Sequence, residues 1–183
     1  MTHQGTKRLE TDRLILRRFT LEDTQAAFDN WESSSEVTKY LVWQPYTEVE
    51  GTRACLERWI AQYEKPDFYQ WAIQLKDEDC GPIGTISVVD HDDRAEKASI
   101  GYCIGTQWWG RGVMTEALKR VIAFLFDEVG LQRVDSSHDP RNPASGAVMR
   151  KAGMHYEATL RRFGWNNQGI CDESIYAIFR DER

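Results

Sequence analysis

The sequence has 183 residues, of which 41% are hydrophobic and 28% are charged, and its formal net charge is −6. That length suits one compact domain with one core, and the composition excludes a disordered or fibrous chain. The negative charge disfavours sequence-independent binding to nucleic acid, which requires Lys and Arg to neutralise phosphates. We therefore expect a single domain spanning residues 1–183 that binds no nucleic acid.

No segment predicts a secretion signal or a membrane span. Residues 1–10 are polar, and no later stretch approaches the ~20 consecutive apolar residues of a transmembrane helix. The four cysteines, Cys55, Cys80, Cys103 and Cys171, form no CxxC pair, so neither a metal site nor a disulfide framework is expected. The sequence thus predicts a cytoplasmic protein that binds no membrane and no metal.

The first third of the chain predicts one strand followed by two helices. Residues 14–16 are a short apolar run between arginines, which suits a strand, and residues 21–31 follow as a helix. Thr47 and Glu50 have the spacing of a capping box, and apolar residues recur behind them at helical intervals. This pattern predicts the second helix.

The middle of the chain predicts three strands joined by hairpins and then a long helix. Residues 68–75, 82–89 and 98–104 are short segments rich in aromatic and β-branched side chains. From Gly110 onward, apolar residues repeat every three or four positions until Gly130, which is placed like a helix C-cap.

The last part of the chain predicts a strand at 134–137, a short helix at 145–152 and a final hairpin formed by 155–161 and 173–179. The resulting order is β-α-α-β-β-β-α-β-α-β-β. It describes one mixed α/β domain without a linker or an internal repeat.

A glycine turn at residues 107–115, with the sequence QWWGRGVMT, points to a ligand. Gly110 and Gly112 permit backbone N–H groups to converge on one small space, and the helix that follows adds the positive end of its dipole. Such a turn favours a diphosphate. A Gly-x-Gly pair alone is a weak signal, and an ordinary tight turn is the alternative.

The flanking residues resemble a known family. Gln107, Gly110 and Gly112 match the Gln/Arg-x-x-Gly-x-Gly/Ala signature of the GNAT superfamily of N-acetyltransferases. Further segments that are similar to its ribosomal-protein N-acetyltransferase branch occur in the expected order at 9–17, 100–102, 115–117, 142–145 and 151–154. The Walker and Rossmann loops fit less well, because no Lys-Ser/Thr follows Gly112 and no βαβ unit precedes it.

The resemblance implies a GNAT-like α/β fold of mixed α+β type, in which flanking helices cover a central, mostly antiparallel sheet with splayed middle strands. It also implies acetyl-CoA as the cofactor. Tyr102, Cys103 and Ile104 would pair with the pantetheine arm, and an amide near Ile104 would polarise the thioester carbonyl. The residues implied for the turn that binds the pyrophosphate are Gln107, Trp109, Gly110, Arg111, Gly112, Val113, Met114 and Thr115. Asn142 would touch the pantetheine, and it also fits as a helix N-cap.

Ser145 is the candidate general acid, because the resembling family has a serine near the departing thiol. The general base is left open, since an amine must be neutral to attack a thioester and then loses a second proton. Asp90, His91 and His138 are the candidates, and each also fits as a solvated turn residue. Some members of the resembling branch have a proposed catalytic glutamate before the last strand, where this sequence has Trp165.

Tyr40, Trp43 and Tyr46 are placed like the loop that closes over the acceptor in the resembling enzymes. With Phe163 and Trp165 they would form an aromatic wall, against which a cationic amine gains ~0.5–2 kcal/mol from cation–π attraction. Packing in the core is the alternative for at least two of these rings.

The sequence thus predicts an acetyl-CoA-dependent N-acetyltransferase that works by direct attack in a ternary complex. The acceptor is a primary amine, either a protein N-terminus, as in the resembling branch, or a small-molecule or drug amine. The alternative is a non-catalytic acyl-CoA-binding or sensing domain, which Trp165 in place of the glutamate favours. The sequence leaves open whether the chain forms a homodimer.

Overall fold

The computed structural model describes residues 1–183, which form an eight-stranded sheet with helices on both faces. The strands are β1 Leu9–Glu10, β2 Leu14–Arg17, β3 Gln70–Leu75, β4 Pro82–Asp92, β5 Lys97–Ile104, β6 Arg133–His138, β7 His155–Asn166 and β8 Gly169–Phe179. Their order across the sheet is β1-β2-β3-β4-β5-β6-β8-β7. Every neighbouring pair is antiparallel except β5 and β6, which are parallel.

The helices are α1 Thr24–Ala27, α2 Ser35–Thr38, α3 Val49–Ile60, α4 Val113–Phe124 and α5 Pro143–Lys151. A 3-10 turn, Leu21–Asp23, precedes α1, and a π-helical turn, Phe28–Glu32, extends it. A second π-helical turn, Leu125–Val129, extends α4 as far as Gly130, whose φ of 89° ends the helix. None of these helices combines the length and the apolar character that crossing a membrane requires.

The predicted element order is confirmed, and β1 and α2 are added to it. The predicted capping box was wrong, because Glu48 occupies the N-cap of α3 and its side chain makes no capping bond. This shifts Thr47 and Glu50 by one position from the places that a capping box requires. The final hairpin is longer than predicted, since its strands extend to Asn166 and from Gly169.

The main core lies between the sheet and α4. Trp71 and Ile73 of β3 are fully buried on this face, and the Trp71 ring meets the edge of Phe124 with centroids 5.8 Å apart. Ala72 points to the opposite face, as alternation along a strand requires. There it joins a smaller cluster that includes Trp31 from the α1 side.

The parallel strands β5 and β6 separate along their length. They pair only where Lys97, Ala98 and Ser99 face Arg133, Val134 and Asp135. Beyond this point β5 stays paired with β4 as far as Ile104, and β6 stays paired with β8 as far as His138. The predicted splay of the middle strands is confirmed, and it leaves a gap in the centre of the sheet.

Replacing Trp71 by Ala should lower the free energy of unfolding by about 3–5 kcal/mol, because the change leaves a large cavity against α4. It also leaves the Lys7 carbonyl, which accepts from the indole N–H at 2.6 Å, without its donor. Urea unfolding measures the loss. Ile170→Ala, at a β8 side chain that is 70% exposed, is the control and should change stability by less than ~0.5 kcal/mol. Equal losses in the two variants would contradict this assignment of the core.

Candidate active site

Every second residue of β5 directs its backbone amide and carbonyl toward the gap between β5 and β6. The Gly105 amide donates to a β4 carbonyl at 3.0 Å. Because successive residues of a strand alternate in direction, the amides of Tyr102 and Ile104 face away from β4 and into the gap. The Ile100 carbonyl agrees with this alternation, since it accepts from the Ser136 hydroxyl of β6 at 2.7 Å. Two amides of β5 are therefore free to bind an extended ligand.

The turn after β5 is left-handed at both of its exposed glycines. Gly110 has φ 73° and Gly112 has φ 74°, values at which a side chain is strained. A Cβ built on Gly110 would meet no atom within 4 Å, so this backbone is open to a ligand. Gly112 is the N-cap of α4 and supplies no side chain to cap the first amides of the helix. A diphosphate fits those free donors and the positive end of the helix dipole.

Ion pairs fix the glycine turn from outside. Arg13 donates to the Arg111 carbonyl at 3.0 Å and pairs with Glu116 in the first turn of α4 at 2.6 Å. The Arg111 guanidinium pairs with Glu78 at 2.5 Å. These contacts hold the turn open without occupying its amides.

The other residues predicted to contact the coenzyme differ in what they offer it. Val113 and Met114 are buried, so only their amides are free to reach a ligand. Gln107 is exposed, and the Trp109 ring is 48% exposed while its indole N–H donates to the Ile104 carbonyl at 2.9 Å. Trp109 therefore covers the end of the gap.

Tyr102 connects β5 to α5 across the gap. Its hydroxyl oxygen lies 3.0 Å from both the carbonyl oxygen and Oγ of Ser145. Because a carbonyl can only accept, Tyr102 donates its one proton to it, and the Ser145 hydroxyl therefore donates to the Tyr102 oxygen. Burial raises the pKa of Tyr102 well above its usual value, so Tyr102 stays protonated at neutral pH. The pair therefore holds the Ser145 hydroxyl beside the gap.

Asn142 and Pro143 occupy the N-cap and the first turn of α5, as the sequence predicts. The Asn142 side chain makes no capping bond, although its backbone amide donates to the Asp139 carbonyl at 2.8 Å. Its carboxamide is therefore free to bind a ligand in the gap. The gap, the glycine turn and the start of α5 form one track that fits an extended coenzyme ending in a diphosphate.

A cavity of about 480 Å³ reaches the gap from the side of α1 and α3. All four side chains predicted for the acceptor, Tyr40, Trp43, Tyr46 and Trp165, line it. The rings of Trp43 and Tyr46 are stacked with their centroids 6.1 Å apart. Phe163, which the sequence added to this wall, is 64% exposed and lies outside the lining.

Asn167, in the turn between β7 and β8, holds the aromatic loop in place. Its side-chain amide donates to the carbonyls of Thr38 at 2.9 Å and Trp43 at 2.7 Å, and its backbone amide donates to Leu41. Its Oδ1 accepts from Gln44 at 2.7 Å. No local pattern in the sequence indicates this clamp of hydrogen bonds, because Asn167 lies more than 120 residues from its partners in the aromatic loop.

Two candidate bases lie away from the cavity. Asp90 is exposed and faces Ser99, where β5 still pairs with β6, so it lines no part of the cavity. His91 contacts Asp93 through Nδ1 at 2.9 Å and packs against the His3 ring. The assignment of Asp90 as a base thus remains a prediction that the geometry does not support.

His138, the third candidate base, does line the cavity. Its Nδ1 donates to the Asp139 carbonyl at 2.8 Å, so Nε2 carries the lone pair in the neutral ring. Nε2 is buried without a partner, and it lies against α5, where a Cβ on Gly146 would come within 2.5 Å of it. The lone pair of Nε2 is therefore directed toward the backbone of α5.

The cavity holds two buried carboxylates that the sequence analysis did not identify, Asp139 and Glu32. Their environments shift their pKa values in opposite directions. Asp139 accepts from Arg141 at 2.6 Å and from Asn166 at 2.9 Å. Burial alone would raise the pKa of Asp139, but these hydrogen bonds outweigh it and lower that pKa to about 2. Glu32 is 2% exposed, and its Oε2 has no hydrogen-bond partner. Burial raises the pKa of Glu32 to about 7, against smaller opposing effects of its neighbours.

Replacing Glu32 by Gln should stabilise the fold in a pH-dependent way. Above its ordinary pKa of 4.5 the unfolded chain ionises Glu32, whereas the folded protein keeps it protonated up to a pH of about 7. The folded state therefore loses stability as pH rises through this window, by about 3 kcal/mol in total. The free energy of unfolding of Glu32→Gln, relative to wild type, should rise by that amount between pH 4 and pH 8.

Urea unfolding at both pH values measures this difference. Asp29→Asn removes a carboxylate from the same π-helical turn, where Asp29 is exposed, and is the matched control. It should show no comparable change with pH. A Glu32→Gln difference that is the same at pH 4 and pH 8 would contradict the raised pKa.

Comparison with known proteins gives matches along most of the chain. Residues 13–155 match the family described as acetyltransferase (GNAT) domain. The uncharacterized N-acetyltransferase YoaA of Bacillus subtilis (strain 168) is 32% identical over 174 residues, which cover 94% of this chain and 96% of that protein. The ribosomal protein uS5-alanine N-acetyltransferase of Escherichia coli (strain K12) is 26% identical over 163 residues, covering 85% and 82%.

Solved structures share the fold. RimL, described as a ribosomal L7/L12 alpha-N-protein acetyltransferase in complex with coenzyme A, superimposes with a TM-score of 0.85. It is 20% identical in sequence, and the match covers 97% of this chain and 100% of that one. The likeness therefore extends over the whole sheet and both layers of helices.

Proposed function

Because the chain belongs to the GNAT acetyltransferase family and is an N-acetyltransferase that uses acetyl-CoA, we propose that a primary amine attacks the acetyl group directly in a ternary complex. The observation that carries this proposal is the gap between β5 and β6. The coenzyme track runs along it, and the aromatic cavity reaches it, since Tyr102 and His138 both line that cavity. Donor and acceptor can therefore meet at the gap without a covalent enzyme intermediate.

The cysteines of the cavity support direct transfer. Cys55, Cys103 and Cys171 line it, and each could in principle relay an acetyl group. Burial raises the pKa of Cys55 to about 11, and it also raises the pKa values of Cys103 and Cys171 above their usual value. All three thiols therefore stay protonated at neutral pH, and a protonated thiol is a poor nucleophile.

In this proposal acetyl-CoA, when bound, supplies an activated acyl group and a thiol leaving group. The Tyr102 and Ile104 amides orient the pantetheine, and the amides at the start of α4 bind the diphosphate. The Ser145 hydroxyl turns its proton from the Tyr102 oxygen to the departing sulfur, and the hydrogen bond from Tyr102 to the Ser145 carbonyl holds the serine in place. Ser145 is thus the general acid and Tyr102 is a positioning residue.

We further propose a protein N-terminal amine as the leading acceptor and a small-molecule amine as the second candidate. Two relatives that are described as acetyltransferases of ribosomal proteins support the first. The cavity volume of about 480 Å³ supports the second, because a compact amine of drug size fits within it. The net charge of −6 favours a cationic acceptor in either case.

The function is tested by mixing the protein and acetyl-CoA with peptides, small primary amines and aminoglycosides, with release of free thiol as the readout. We expect thiol release that depends on the acceptor, and an N-acetylated product by mass spectrometry. Initial rates should give intersecting rather than parallel double-reciprocal lines, as a ternary complex requires. Thiol release at the same rate with and without every amine would contradict the proposal.

Ser145→Ala should affect turnover, whereas Gly112→Val should affect the affinity for coenzyme A. Ser145→Ala should lower kcat by about 10- to 100-fold and leave the KM for acetyl-CoA nearly unchanged, because the proton is needed only as the carbon–sulfur bond breaks. Gly112→Val should raise the Kd for coenzyme A, since φ 74° is strained for valine and the turn loses its shape. Melting curves confirm that both variants fold. Wild-type turnover in the first, or unchanged affinity in the second, would overturn the corresponding role.

A further inference from the structure

Glu32 lies at the end of the π-helical turn Phe28–Glu32 and lines the acceptor cavity. The other two carboxylates of that lining have partners, since Asp139 binds Arg141 and Glu173 accepts from Ser137 at 3.0 Å. Glu32 differs from both, because no donor reaches its buried Oε2. π-Helical turns are rare, and they occur often at functional sites.

The backbone around Glu32 is fixed at several points. Its carbonyl accepts from the Tyr46 amide at 2.9 Å, which ties it to the aromatic loop. The Asn30 carboxamide donates to the carbonyls of Cys80 at 3.1 Å and Pro82 at 2.8 Å, which ties the same turn to the start of β4. The Ser33 hydroxyl donates to the Phe28 carbonyl at 2.7 Å. The backbone that carries the Glu32 carboxylate is therefore fixed at the wall of the cavity.

An unpaired buried carboxylate destabilises a protein, and replacing it by an apolar side chain is often tolerated. The neighbouring residue, Trp31, also lines the cavity and has a buried indole N–H without a partner. Two consecutive residues thus bring unsatisfied polar atoms to one wall of the acceptor cavity. A bound molecule that carries a donor for the Glu32 carboxylate would satisfy it.

Charged and titratable groups approach Glu32 from every element packed around it. Those that share the cavity lining with it are Arg58 and Cys55 of α3, Tyr40 and Tyr46 of the aromatic loop, Tyr102 and Cys103 of β5, and His138, Asp139, Cys171 and Glu173. The Thr52 hydroxyl and then Arg58 oppose the effect of burial on the pKa of Glu32 without removing it. Burial raises the pKa values of Cys55 to about 11 and of Tyr46 to about 12, so these two neighbours stay neutral when Glu32 ionises.

We propose that Glu32 binds the ammonium group of the acceptor and acts as the general base of acetyl transfer. This inference rests on the proposed function. The ammonium gives one proton to the Glu32 carboxylate, and the free amine forms the C–N bond as the C–S bond breaks. Ser145 gives its proton to the departing sulfur, and the second proton of the nitrogen passes to the Ser145 oxygen, which restores the hydroxyl. Glu32 then releases its proton to solvent, which balances the conversion of an ammonium and a thioester into an amide, a thiol and one proton.

The surroundings of Glu32 define the class of acceptor. Trp43 and Tyr46 offer a stacked aromatic wall, and Tyr46 is joined to Glu32 through its backbone amide. A primary amine on a short apolar or aromatic frame places its cation at Glu32 and its carbon frame on those rings. The N-terminal residue of a peptide and a small arylalkylamine both have this form.

The decisive test compares Glu32→Gln with wild type across pH, using 2-phenylethylamine and a peptide as acceptors. At pH 7 the variant should lose about 100-fold or more in kcat/KM for the acceptor and keep its KM for acetyl-CoA. The loss should shrink as pH rises, because a larger fraction of the amine is then neutral in solution and needs no base. Asp29→Asn, at an exposed carboxylate of the same turn, is the matched control and should behave as wild type.

A comparison of two acceptors that differ in basicity distinguishes a role of Glu32 in proton transfer from a structural role. 2,2-Difluoro-2-phenylethylamine has nearly the shape of 2-phenylethylamine, but its amine is less basic and is largely neutral at pH 7. The loss in Glu32→Gln should therefore be much smaller for the fluorinated amine. A structural defect would reduce turnover of both amines equally and at every pH.

The outcomes of these tests are distinct. Wild-type kinetics in Glu32→Gln, or a loss that depends on neither pH nor amine basicity, overturns the role of Glu32 and leaves the proposed function intact. If no amine binds to or is acetylated by the wild-type protein, as measured by calorimetry and thiol release, both the proposed function and this inference are overturned.

Discussion

The parallel pairing of β5 with β6 ends at Ser99 and Asp135, and each strand then keeps only its antiparallel partner. Those outer partners hold the two strands apart, so the gap cannot close by ordinary sheet formation. The amides of β5 that face the gap are left without strand partners, and buried amides without partners are costly. A fold with this defect is stable because the rest of the sheet and α4 bury a large core. The defect itself is the place where a coenzyme can pair with the protein as an added strand.

Around this gap the protein uses buried acidic groups in two ways. Asp139 is saturated by hydrogen bonds and stays ionised, and it fixes the segment between β6 and α5. The Oε2 atom of Glu32 is buried without such a bond, and burial outweighs the effects of Thr52 and Arg58 on the pKa of Glu32, so its charge is less well stabilised than that of Asp139. When the environments of two carboxylates in one site shift their pKa values in opposite directions, the two groups commonly have different roles. Here one carboxylate maintains the geometry of the cavity while the other is left ready to react.

Sequence patterns identified those parts of the site whose residues lie close together along the chain. Gly110 and Gly112 are separated by one residue, and the aromatic residues from Tyr40 to Tyr46 form a run that suits neither a helix nor a strand. Glu32 could not be found this way, because the π-helical turn adds a residue and disrupts the 3.6-residue period by which buried positions are recognised. The same holds for the Tyr102–Ser145 contact, which depends on how β5 and α5 face each other across the gap.

The clamp made by Asn167 joins the acceptor side of the protein to the turn between β7 and β8, far from the glycine turn that faces the diphosphate. The acceptor cavity is therefore partly walled by a loop and a hairpin, together with the π-helical turn and α3, while the donor part is built from β5, α4 and the start of α5. After gene duplication, one copy could acquire a new acceptor by drift in the loop and the hairpin. The acetyl donor would stay the same throughout such a change, so diversity of acceptors can arise on one unchanged coenzyme track.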